Sequence, residues 1–131
     1  MTDYEVIIGA GSRHRPGPGT VTFPHRWTAG GVSVEAAFTG GHLLHLAVAG
    51  CVLNDVYREA ARRGIEVDGV RVSATGGFDT TTWRSTGIAY AVEVDAAADD
   101  TVIEALLDAV DRAAEIPLAI RAGGEVTRLQ T

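Results

Sequence analysis

Two kinds of hydrophobic pattern alternate along this chain. Short runs place apolar and polar residues on alternate positions, the period of a half-buried strand. Two longer stretches repeat apolar residues every three to four positions, the period of a helix. Tyr4 to Ile8 (YEVII) is the first strand-like run, and Gly9 to Gly19 (GAGSRHRPGPG) is a loop punctuated by glycine and proline. A second strand is expected over Thr20 to Phe23. A third is expected over Val32 to Phe38, where Val32, Val34 and Ala36 alternate with Ser33, Glu35 and Ala37.

The longest helical pattern runs from about Gly41 to Arg63, with Gly64 at the position that commonly closes a helix. Two strands follow: Val70, Val72 and Ala74 alternate with Arg71 and Ser73, then Ile88, Tyr90, Val92 and Val94 with Ala89, Ala91 and Glu93. Thr101 to Glu104 reads as a capping box opening a second helix. That helix carries Val102, Ile103, Leu106, Leu107 and Val110 on one face and stops before Pro117. A final strand is expected over Glu125 to Leu129. The order β-β-β-α-β-β-α-β predicts an α+β fold in one domain spanning residues 1–131.

The long helix changes character along its length. Its first half, LLHLAVAGCVL, is apolar nearly all round, whereas its second half exposes Asp55, Arg58, Glu59, Arg62 and Arg63 to water. A small domain has little material with which to surround a helix, so burial of the first half by a second copy, a homodimer, is expected.

Composition removes several function classes. The net charge is −6, which argues against a nucleic-acid partner, because phosphate contacts need clustered cations. All eleven cations are Arg, so a lysine Schiff base is excluded. The most apolar run, Leu43 to Leu53, is interrupted by His45 and falls far short of the roughly 20 residues of a membrane span. No secretory leader pattern is visible at the N-terminus, and the single cysteine cannot form an internal disulfide. A cytoplasmic protein held together by packing is the expectation.

Cys51 is the one thiol. Taken alone it reads first as a small buried side chain, since reactivity needs a lowered pKa and Cys51 lies about ten residues inside its helix, beyond the reach of the helix N-terminus. His42 and His45 share a helix face but lie about 180° and 120° of rotation from Cys51, so the three form no common site on one helix. No metal or cofactor is expected. GAGSRHRPGPG lacks the third glycine and the following helix of a dinucleotide fingerprint, and GGVSVEA lacks the second glycine of a nucleophile elbow.

Thr39 to Phe78, with Ala47-Val48-Ala49-Gly50-Cys51 at its centre and ARRGI leading to the next strand, resembles the central helix of the OsmC/Ohr family of thiol peroxidases. The tail AAEIPLAIRAGGEVTRL resembles that family's second signature, a Cys-Pro-apolar triplet. The resemblance implies an OsmC-like fold in an intertwined homodimer with central helices packed between sheets. It implies a peroxidatic role for Cys51 towards a small-molecule hydroperoxide, with Arg13 or Arg15 of the N-terminal loop supplying the cation. The resolving cysteine's position is Ile116, and the position of the glutamate that steadies the arginine is Gly41. Two readings follow. One is a one-cysteine hydroperoxide reductase that draws on an external thiol reductant. The other is a degenerate member whose interface binds a small apolar ligand or serves a structural role.

Overall fold

The computed structural model describes residues 4–130. Strands β1 (Val6–Gly11), β2 (Val21–Phe23) and β3 (Val32–Glu35) precede the long helix α1 (Gly40–Arg62). Strands β4 (Val67–Phe78) and β5 (Ser85–Ala96) follow, then helices α2 (Asp100–Ala113) and α3 (Glu115–Ala122). All strand pairings are antiparallel, and the sheet order is β2-β3-β1-β4-β5. The α+β architecture expected from the period changes is the one observed.

Register gives the sheet two unlike faces. Ile8 stands opposite Val34 on one side and Val72 on the other, and Val72 stands opposite Val92. One face is therefore apolar from strand to strand. Val6, Ile8, Ala10, Val70, Val72 and Ala74 on it are at most 1 % exposed, packed beneath Val52, Val56 and Ala60 of α1 and Leu106 of α2. The intervening residues point the other way, where Arg71 meets Glu93 at 2.8 Å in reach of solvent. Helices cover one face only.

Thr39 caps α1 by accepting from the N–H of His42 (3.1 Å). At its other end the Gly64 N–H donates to Ala61 and the Ile65 N–H to Ala60, a paired closure that needs Gly64 at φ 70°. The stripe Val48, Ala49, Val52, Leu53 and Val56 is buried. On another side Leu43 is 38 % exposed and Ala47 is exposed, with Gly50 half-covered, so the chain does not surround the first half of α1. No described helix is long and apolar enough to cross a membrane.

Several local expectations change: β1 runs on through Gly9 to Gly11, expected to open the loop, and β3 ends at Glu35 instead of Phe38. The cap of α2 is Asp99, which accepts from Val102 N–H at 3.1 Å, so Thr101 lies inside the first turn instead of opening a capping box. The helix stops at Ala113 and Pro117 falls in the first turn of α3, where its missing N–H would have no helical acceptor. Residues 125–129 form no strand. Gly123 (φ 77°) ends α3, and Val126 and Leu129 stand largely exposed. A β-patterned run becomes a strand only against a hydrogen-bonding neighbour, and these residues pair with none among the described residues.

Candidate active site

Cys51 lies where the side of α1 meets the first turn of α3. It is half-buried, and the carboxyls of Asp55 and Glu115 turn towards it. Sγ and one oxygen from each carboxyl lie within 4.8 Å of one another. Asp55 is one helical turn beyond Cys51 and so shares its face, and it is only 6 % exposed. Glu115 comes from the start of α3. Arg58 closes the group: its Nη1 donates to Asp55 Oδ1 at 2.6 Å and stands 3.7 Å from Glu115 Oε1. The Trp27 ring supports the same guanidinium at 5.9 Å.

The thiol feels opposing influences. Burial pushes the Cys51 thiol up, the backbone N–H of Ile116 at the start of α3 pulls it down, and the charges of Asp55 and Glu115 push it up again. The balance lies above the ordinary thiol value. Burial also raises the Asp55 carboxyl, helped by the negative charge of Glu115 and opposed by Arg58. Gly41 offers no carboxylate to steady an arginine, which leaves a near-normal or raised thiol as the expectation. The observed causes are burial and two carboxylates close by.

Arg13 and Arg15 are not brought to Cys51 within the chain. Arg13 donates through Nε to Asp95 Oδ2 at 2.8 Å and through Nη1 to Glu93 at 3.3 Å. Arg15 donates to the carbonyls of Ser12 and His14 at 3.1 and 3.0 Å. Both line a cavity of about 380 Å³ with Ser33, Glu35, Arg71 and Glu93, on the sheet face away from α1. The sheet stands between these arginines and Cys51, because Glu93, which pairs with Arg13, alternates out of phase with the half-buried Ile88, Tyr90, Val92 and Val94 that β5 packs against the core.

Gly41 is ten residues before Cys51, about 15 Å along the helix. A Cβ there would come within 2.5 Å of the Tyr4 ring, so this corner is occupied by an aromatic side chain. His42 Nδ1 pairs with Thr39 Oγ1 at 2.7 Å, and His45 Nδ1 donates to the Gly41 carbonyl at 2.6 Å. Both are absorbed in the helix start and in the Tyr4–Phe78 cluster.

Sequence reasoning singled out Cys51 and position 116, which the fold brings together, but it missed Asp55, Arg58 and Glu115. A signal for two of them was present. Asp55 follows Cys51 by four and Arg58 follows Asp55 by three, the spacings that put side chains on one helix face. Glu115 could be reached only through the neighbouring position 116.

A sequence-family model described as OsmC-like protein matches residues 32–127. No curated protein matches the chain. Among solved structures, the chain is similar to an OsmC-like hydroperoxide resistance protein from Jannaschia sp. CCS1. The two share 14 % identity, the match covers 98 % of this chain and 95 % of that one, and the TM-score is 0.52. At that identity the likeness speaks for the fold.

Proposed function

The chain belongs to the OsmC-like protein family, and from that premise we propose that it is a one-cysteine hydroperoxide reductase in which Cys51 is the peroxidatic thiol. The observation that carries this reading is the meeting of Cys51 with the first turn of α3. The sole thiol is partly open to solvent there, beside the backbone N–H of Ile116. Position 116 is where the family resemblance expects the resolving partner. Sulfur attacks the terminal oxygen of an organic hydroperoxide, the O–O bond breaks, and a sulfenic acid and an alcohol result. With isoleucine at 116, an external thiol reduces the sulfenic acid through a mixed disulfide that a second thiol cleaves. A reducing, cytoplasmic setting suits that dependence.

The protein works in this reading as a homodimer. Support comes from the exposed Leu43 and Ala47 and the half-covered Gly50, a stripe that a second copy would cover. The test is direct. Purified protein is treated with cumene hydroperoxide at neutral pH in the presence of dimedone, and intact mass is followed. Cys51 should be trapped as the dimedone adduct, and without the trap the mass should rise by two oxygens as sulfinic acid forms. The Cys51→Ser variant should show neither change.

A second reading has its own observation. Burial and two carboxylates hold the thiol protonated, as suits a degenerate member that binds a small apolar ligand or serves a structural role. A wild-type Cys51 that stays unmodified under these conditions would favour it.

A further inference from the structure

We propose that Asp55 is the proton carrier of the Cys51 reaction, taking the thiol proton as sulfur attacks and returning it to the departing oxygen. This rests on the peroxidase reading of Cys51. The geometry points to Asp55 because its carboxyl faces Sγ from one turn along the same helix and is almost completely buried. The charged and titratable groups around it are Cys51, Arg58, Glu59 and Arg62 from α1 and Glu115 from α3, while α2 offers only Val110 and Ala113. Arg58 holds one oxygen of Asp55 at 2.6 Å, which fixes the carboxyl in place, and the Glu115 carboxyl lies within hydrogen-bond reach of it.

The chemistry follows from what the site lacks. A thiol held protonated by burial and negative neighbours cannot attack until its proton leaves, and the alkoxide expelled from a hydroperoxide is a strong base. One buried carboxylate meets both needs. It accepts the proton from Sγ, the sulfur electron pair forms the S–O bond, and the O–O pair departs on the alkoxide. The carboxylic acid then protonates that alkoxide to the alcohol and is a carboxylate again. Sulfur is oxidised, the hydroperoxide is reduced, and no other reactant is needed. The raised carboxyl is better suited to such an exchange than an ordinary one, since proton carriers work best when their pKa lies near the operating pH.

The test sets two reagents against each other in wild type and Asp55→Asn. Iodoacetamide needs only the thiolate, and its reaction releases no basic oxygen. Removing the Asp55 charge should therefore make alkylation at neutral pH faster. Sulfenic acid formation with cumene hydroperoxide should instead become slower by about 10²-fold, the usual contribution of one general acid–base group. Rates that move in the same direction, or a hydroperoxide rate that stays unchanged, would overturn the role of Asp55. A wild type inert to hydroperoxide would overturn the peroxidase reading itself, and the relay with it. Single-turnover rates in heavy water give a measure that needs no variant: proton transfer in the attack step predicts a normal solvent isotope effect on wild type, and its absence would count against the relay.

Discussion

Replacing Ile116 by Cys gives the most direct reading of how α3 sits on α1. The two cysteines would be separated by 65 positions (116 − 51), and the Ile116 N–H already faces Sγ. In the chain-entropy account, closing a loop of that length stabilises the fold by about 4 kcal/mol. Ile116 is 36 % exposed, so shortening it costs about 1 kcal/mol. The net gain of about 3 kcal/mol corresponds to a rise on the order of 10 °C in melting temperature for a domain of this size. The variant would be oxidised with one equivalent of hydroperoxide and its thiols titrated. Its melting curve would then be compared with and without dithiothreitol. Loss of both thiols together with the rise is expected. Two titratable thiols in a folded, oxidised variant would refute the placement of the first turn of α3 over Cys51.

Other expectations are more local. Gly41→Glu should destabilise by about 1–3 kcal/mol in chemical denaturation, because the new Cβ meets the Tyr4 ring; a neutral effect would show that Tyr4 swings aside freely. Ala49→Leu overfills a site with no exposure and should cost a similar amount, whereas Ala47→Leu, on the uncovered side of α1, should leave the fold intact and change the mass found by light scattering. The Asp95 carboxyl is held at about 2 by Arg13 and Ser12, so its contribution to stability is present above about pH 4 and lost as pH falls towards 2. An acid-unfolding comparison with Asp95→Asn should show the difference vanish across that window. Asp55 carries the opposite sign: its raised carboxyl favours the fold at low pH and loses that advantage as pH rises. The stability of Asp55→Asn relative to wild type should therefore grow with pH through the carboxylate range.

The alternation of Val32 and Val34, of Val70 and Val72, and of Ile88 to Val94 is enough to place strands and say which residues face inward. The repeat in α1 and the Gly64 stop likewise lie in the sequence, because period and backbone freedom are local properties. The resemblance around AVAGC also names Cys51 and its distant partner position correctly as neighbours. Cap choice went to Asp99 over Thr101 because both are good caps and only the path from β5 decides between them. Residues 125–129 carry strand chemistry with no strand beside them. The thiol's surroundings were the least legible. The N-terminal loop offered two arginines to Cys51, but register turned Glu93 and Asp95 to the far face of the sheet, and Arg13 pairs with them there. Within the chain, the guanidinium at the site comes from Arg58, held between Trp27 and the carboxyls of Asp55 and Glu115. A strand's period is written residue by residue, but the charges a thiol meets depend on which face of the sheet each element covers, and that is settled only when all the elements pack together.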